Sequence, residues 1–426
     1  FGTNYYNSLQ LTDSINQLFP HHSTIKRIDH YLGKSVLLNI KNFRWNNNFI
    51  EPTLNNQYIE NIDILFSEDL DVADRISFFD QTGIIRDIIQ NHLTQILTLI
   101  TMDRPDNDTQ EAFNQQVYEL LKSVKVDYNQ YFVGQYQAYQ QEYQQFYSKS
   151  NQTSPKVSSN TPTFCSVIVY INNHRWENVP IRITAGKGLE HRVCNLRLKY
   201  RKNLSWPNSN HNELVLRIQP DEAFYLTGNS EILSTGCQMI NNPSVMDLKF
   251  SDYTSRIPDA YEKVLVDVLN GDGPTIITTQ MIELAWKIWT PFIFQIDQHS
   301  QPVLYPKGAF PPGFDQWSAQ QGFYHKPNWE EFLATYGDGK HHQQLECLFH
   351  QLDQNKDQQI TQDEFIQLIH KLFPENEANM SKAISELDIQ FPLNLGQLKK
   401  LAFKLHGKIK PHPQDLDDEG IQKWIA

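Results

Sequence analysis

Positive charge is in short supply in this 426-residue sequence: 37 Lys and Arg face 49 Asp and Glu, a formal net charge of −12. A general nucleic-acid binder needs a broadly basic surface, so that class is excluded, although a local basic pocket for a phosphorylated metabolite is not. No run of about 18 apolar residues occurs, so neither a transmembrane helix nor membrane insertion is expected. Cys165, Cys194, Cys237 and Cys347 form no CxxC pair and read as free, mostly buried thiols. A Gly-rich dinucleotide turn is missing as well. Such a turn joins a strand to a helix, so that backbone amides meet a pyrophosphate. Ala185-Gly186-Lys187-Gly188 lacks that spacing, and the charged run after it does not read as a packed helix. What the chain does have is apolar content for a sizeable core: 39% hydrophobic and 12% aromatic residues.

Residues 1–135 read as mixed helix and strand. The clearest helix spans Asp80 to Ile100, where Ile85, Ile88, Ile89, Leu93, Ile96, Leu97 and Ile100 recur at helical spacing. Residues 136–161, rich in Gln, Tyr and Ser, read as a surface excursion or linker. Residues 162–293 read as strand-rich, with short runs at Val167–Ile171, Pro180–Thr184, Asn195–Tyr200 and Glu213–Gln219. A helix is expected at about Thr279–Ile293, with Pro291 near its end. A domain boundary is expected at Lys326-Pro327, before amphipathic helices over 328–426.

Two constellations carry chemistry. In Arg27-Ile28-Asp29-His30-Tyr31-Leu32-Gly33-Lys34, a helix would put His30 and Lys34 on one face, and Gly33 would leave room for a ligand. Lys, His and Tyr together suit a phosphate, although a solvated helix start has the same composition. In Gly83–His92, His92 lies on the apolar helix face, where a lone histidine is usually a satisfied core residue. Asp87 is five residues away, about 140° round an α-helix, so a partner for His92 should come from elsewhere.

Arg27–Lys34 resembles the RIDHYLGK signature of glucose-6-phosphate dehydrogenases, and Gly83–Leu93 resembles their GIIRDxxQNHL helix. Thr161–Phe164, Arg175–Pro180, Ala185–Lys187, Asn212–Val215, Arg217–Pro220, Pro258–Glu262 and Trp289–Pro291 match further family blocks in order, over roughly residues 1–310. The resemblance implies NADP-dependent oxidation of C1 of glucose 6-phosphate, or a related hexose 6-phosphate, in the oxidative pentose phosphate pathway. It implies His92 as the base and Asp29 as its carboxylate partner. It implies His30, Tyr31 and Lys34 at the phosphate, Glu68 and Asp87 at sugar hydroxyls, and Lys187, Arg192 and Gln219 as further substrate contacts. It also implies a homodimer formed by the sheet.

Two departures stand out. Phe1-Gly2 resembles the end of the family's Glu-Lys-Pro-Phe-Gly block, so the Rossmann domain that holds the catalytic NADP is expected to be absent and this chain alone inactive. Arg197, Arg217 and Tyr225 match positions of the family's structural NADP site. Thr184, Val193 and Thr227 replace expected cations there, so that site reads as degenerate. Val133–Gln137, Ile277–Thr279 and Leu304–Pro306 look like the endoplasmic hexose-6-phosphate branch. Together with four sequons at Asn107, Asn151, Asn203 and Asn379, they favour the endoplasmic reticulum lumen, with the cytoplasm as the alternative.

Asp353–Glu364 resembles an EF-hand calcium loop, with Asp353, Asn355, Asp357, the Gln359 carbonyl and Glu364 as ligands and Thr361 at the ninth position. Gln358 replaces the usual sixth-position Gly, at a cost on the order of 1–3 kcal/mol. The expected fold is therefore α+β: a large, mainly antiparallel sheet with helices on one face over 1–327, then a small EF-hand-like α domain over 328–426. The rival reading is a non-enzymatic calcium-binding or sugar-phosphate-sensing relative. Retention of Asp29, Lys34, Glu68, Asp87 and His92 argues against it, because a scaffold has no physical need for that set.

Overall fold

The computed structural model describes residues 2–323 apart from 20–24, 73–74, 150–157, 203–210, 221, 234–238, 255, 272 and 300, together with Thr361. The chain divides into two units, Phe1–Lys326 and Pro327–Ala426. All of the described helices and strands lie in the first.

The chain opens with α1 (Tyr5–Leu18), β1 (Arg27–Ile28), a 3-10 turn (His30–Gly33), α2 (Ser35–Trp45), a second 3-10 turn (Glu51–Thr53) and β2 (Ile59–Ser67). Next come α3 (Ile76–Ile84), a π-helix (Ile85–Leu93), α4 (Thr94–Thr101), α5 (Gln110–Ser123), β3 (Val124–Tyr136) and α6 (Tyr139–Lys149). The strands β4 (Phe164–Ile171), β5 (Ile181–Gly186), β6 (Val193–Tyr200), β7 (Glu213–Gln219), β8 (Ala223–Leu233) and β9 (Met239–Lys249) follow. The last elements are α7 (Ala260–Asn270), β10 (Ile276–Ile277), α8 (Thr279–His299), β11 (Val303–Tyr305) and α9 (Phe314–Gln320).

Among the described residues, nine strands form one sheet in the order β11-β3-β4-β5-β2-β6-β7-β8-β9, and β1 pairs with β10 apart from it. Only the β11–β3 and β2–β5 neighbours are parallel; the rest are antiparallel, as the sequence suggested. Side chains alternate across the pleat. Ile62, Ile64 and Phe66 of β2, Ile181 and Ile183 of β5 and Leu214, Leu216 and Ile218 of β7 are buried in the core. The helices cover this face: Phe43 of α2, for example, stacks on Phe224 of β8 at 4.2 Å. The other face carries Asp63, which pairs with Arg182 at 2.8 and 2.6 Å, and Ser166 beside Thr184 at 2.7 Å. Here one helix departs from the one-sided expectation: α9 sets Phe314 against Phe132 and Phe164.

Three sequence expectations change. The helix read from Asp80 to Ile100 is three segments. Gly83 takes a left-handed φ of 63°, which glycine adopts without a Cβ clash. Beyond it the chain widens to the π-helix, whose bonds span five residues rather than four. Thr94 Oγ1 donates to the Ile89 carbonyl at 2.7 Å, five residues back, and accepts from Trp289 Nε1 at 2.8 Å. The supposed linker over 136–161 contains α6, which buries Tyr139, Tyr143 and Tyr147, one every four residues. α8 runs past the expected end at Ile293 to His299, burying Trp286, Trp289, Phe292, Ile293 and Ile296.

Arg44 is the central tie of the helical layer. Its guanidinium is fully buried and meets Glu51 at 2.9 Å, the Leu99 carbonyl at 2.7 Å and the Met102 carbonyl at 2.7 Å. It thus joins α2, the Glu51–Thr53 turn and the end of α4. Removing one partner of such a network strands the others away from water. Arg44→Met is expected to cost about 3–5 kcal/mol. Urea unfolding measures this, and a loss below about 1 kcal/mol would contradict the assignment.

Candidate active site

Asp29 lies where β1 gives way to the 3-10 turn. Its backbone N–H donates to the Thr275 carbonyl at 3.1 Å, and its Oδ1 accepts the Tyr31 N–H at 2.9 Å. The same oxygen lies 2.7 Å from Nδ1 of His92, which projects from the π-helix. Asp29 is 3% exposed. A buried carboxylate accepts, so Nδ1 of His92 carries the proton and Nε2 holds the free lone pair. The geometry therefore supplies the partner that the helix could not. Asp29, His30 and His92 bring ligand-type atoms within 4.8 Å of one another. The Asp29–His92 hydrogen bond is that of an oriented acid–base pair, and we read the group in that way.

The rings of His30 and Tyr31 lie 4.7 and 4.6 Å from that of His92. His30 also stacks nearly parallel on Tyr261 of α7, at 5.1 Å. A capping box of Asp259 and Glu262 fixes the start of α7. Gly33 serves this contact, not a ligand: a Cβ there would meet the Ala260 carbonyl oxygen at 2.6 Å. Lys34 is extended (φ −68°, ψ 137°), so it shares no α-helical face with His30. Glu222, which sequence spacing did not single out, accepts the Val36 N–H at 2.7 Å at the start of α2. Burial raises its carboxyl above the ordinary range, against Lys34. Tyr261 stood within the Pro258–Glu262 block, so its signal was present but its role was not.

The second group arises from the parallel pair β2–β5, whose C-terminal ends reach the same edge. Glu68 prolongs β2, its N–H donating to the Gly186 carbonyl at 2.9 Å, and Lys187 prolongs β5. The buried Lys187 Nζ pairs with Glu68 and, at 3.3 Å, with Asp87 of the π-helix. Arg192 is exposed just ahead of β6. Burial drives the Tyr31 phenol well above its ordinary pKa; Arg192 acts the other way, less strongly. Tyr31 is therefore a neutral hydroxyl donor near pH 7. Gln219 pairs with Cys194 across β7 and β6, and its buried Nε2 has no partner among the described residues.

Arg197, Arg217 and Tyr225 are brought together elsewhere. Arg197 opposes Val215, which opposes Tyr225, so all three share the Asp63–Arg182 face. Arg197 meets Glu213 at 3.5 Å, and Arg217 lies over the Tyr225 ring at 5.0 Å. A carboxylate among so few cations suits a polyanionic nucleotide poorly. The calcium-ligand candidates Asp353, Asn355, Asp357, Gln359 and Glu364 lie outside the described residues.

A buried Asp–His pair flanked by His, Tyr and Lys, carried by a 3-10 turn and a π-helix beside a mostly antiparallel sheet, has the geometry of an acid–base site. The family description "Glucose-6-phosphate dehydrogenase, C-terminal domain" matches residues 41–326, and the chain belongs to that family. It is 35% identical to the chloroplastic glucose-6-phosphate 1-dehydrogenase 3 of Arabidopsis thaliana over 77% of this chain and 56% of that protein. It is 35% identical to the cytoplasmic isoform of Solanum tuberosum (73% and 60%) and to the Aspergillus niger enzyme (70% and 59%). It thus spans under two thirds of these relatives' length. A solved glucose-6-phosphate dehydrogenase in complex with its substrate glucose-6-phosphate superposes with a TM-score of 0.69 at 31% identity, over 76% of this chain and 68% of that one. The Mycobacterium avium glucose-6-phosphate 1-dehydrogenase gives 0.65 at 26% identity (77% and 68%). The chloroplastic and cytoplasmic names lend the endoplasmic expectation no support. Among the described residues, no helix is long and apolar enough to cross a membrane.

Burial, then His92 and Lys34, lower the pKa of His30, while Asp29 and Asp259 oppose them. An unfolded histidine titrates near 6.5, so between that pH and the lower folded midpoint the unfolded chain binds more protons. The stability this group contributes is complete above about pH 6.5 and is lost as pH falls through the folded midpoint. Histidine NMR should show His30 titrating below about 6.5, and Lys34→Ala should raise its midpoint. A wild-type midpoint at or above the ordinary value would contradict this.

Proposed function

We propose that this chain forms the sugar-phosphate half of an NADP-dependent glucose-6-phosphate dehydrogenase. Family membership and the 2.7 Å Asp29–His92 contact beside His30, Tyr31 and Lys34 support this reading. In it the phosphate sits among His30, Tyr31 and Lys34, the last acting as a point charge. The sugar hydroxyls meet Glu68, Asp87 and Lys187, whose mutual pairing holds them ready at little further entropic cost. Arg192 adds a contact at the exposed rim and Gln219 one from within, its buried Nε2 being a donor in want of an acceptor. The Nε2 of His92 takes the proton of the C1 hydroxyl. Asp29 holds the tautomer and stabilises the imidazolium that forms.

NADP supplies the acceptor for the hydride that leaves C1. The described residues offer it no cradle. The Gly186-Lys187-Gly188 turn leads into strand β6, not into a helix whose N-terminus could meet a pyrophosphate.

Calorimetric titration of this chain with glucose 6-phosphate, beside Lys34→Ala, tests the reading. Wild type is expected to bind. Loss of one charge-assisted phosphate contact should weaken the variant by about tenfold to a hundredfold. Equal affinities, or saturable binding unaffected by removing the phosphate from the sugar, would overturn it.

A further inference from the structure

The loop after β11 touches both loops that carry the sugar-binding pair. Tyr305, fully buried, donates its hydroxyl to the Lys187 carbonyl at 2.7 Å and meets Thr163 Oγ1 at 2.7 Å. Gly308 N–H donates to the Gly188 carbonyl at 2.9 Å, and Gly188 N–H to the Leu70 carbonyl at 2.8 Å. Between Tyr305 and Gly308 stands Lys307. Its ammonium pairs with Asp71, three residues past Glu68, and with Glu142 of α6. It also lies over the Tyr136 ring at 5.1 Å. Tyr136 donates its hydroxyl to Glu142 at 2.6 Å and accepts the Val72 N–H at 3.2 Å. One cation thus ties three segments together: the strand β2 exit, α6 and the strand β11 exit.

We infer that Lys307 is a positioning residue for the Glu68–Lys187 pair, and so for orientation of the sugar ring, an inference that rests on the proposed function. Glu68 is placed by a segment whose next side-chain anchors are Asp71 and the Val72 N–H. Lys187 is placed through its carbonyl by Tyr305. Lys307 sits between those two supports and couples them. The phosphate-binding candidates His30, Tyr31 and Lys34 are held by a different support, the turn packed on α7, while the partners of Lys307 are Asp71, Glu142 and the Tyr136 ring.

Because Lys307 braces the sugar-binding pair and not the turn of His30 and Tyr31, comparing two ligands distinguishes the two supports. Titrations of wild type, Lys307→Ala and Lys307→Arg with glucose 6-phosphate and with inorganic phosphate, followed by NMR, do so. Lys307→Ala is expected to lose on the order of tenfold in glucose 6-phosphate affinity while phosphate affinity stays unchanged, the worth of about one charge-assisted contact. Lys307→Arg, which keeps the charge and adds donors, is expected to recover most of the loss. Wild-type affinity in Lys307→Ala would overturn the inference. So would parallel loss of both ligands, the mark of a merely structural role. Failure of wild type itself to bind glucose 6-phosphate would instead overturn the proposed function.

Discussion

A carboxylate almost wholly removed from water needs hydrogen-bond donors in place of solvent. Asp29 Oδ1 has two, the Tyr31 N–H and the His92 ring. This one group fixes two things together. It starts the turn that carries His30, Tyr31 and Gly33, and it sets which nitrogen of His92 is free. The turn and the base therefore have a fixed relation, although 63 residues separate them in the chain. α7 completes the arrangement from outside, with its capped first turn against Gly33 and Tyr261 stacked on His30.

The second constraint is the direction of the strands. A purely antiparallel sheet would send neighbouring strand ends to opposite edges. The parallel neighbours β2 and β5 send Glu68 and Lys187 to the same edge, where the π-helix brings Asp87. The paired charges are buried to different degrees, Lys187 more than its partners. Such a pair is weak evidence for stability, because desolvation offsets much of the attraction. Its value lies in holding donors and acceptors in one geometry before a ligand arrives.

Much of this was legible in the residues. The strands β4 to β7 follow from short β-branched runs. Helix geometry said only that the partner of His92 lies elsewhere, and Asp29 was named by the family resemblance alone. The π-helix was not legible, because apolar residues at 85, 88, 89 and 93 suit a four-residue and a five-residue bond alike. The α6 helix was hidden by Gln-rich composition, although its tyrosines at 139, 143 and 147 carried the period. The role of Gly33 was misread for a related reason: a glycine signals close approach without saying what approaches. Contacts such as Tyr261 on His30, or Lys307 on Asp71, join residues far apart in the chain, where no local pattern speaks.

The most direct test is a crystal structure of the glucose 6-phosphate complex. The expected complex has the phosphate among His30, Tyr31 and Lys34, with the C1 hydroxyl oxygen about 2.6–3.2 Å from His92 Nε2, the reach a general base requires. A sugar bound with its phosphate at Lys187 and C1 turned away from His92, while the Asp29–His92 bond stays intact, would contradict it.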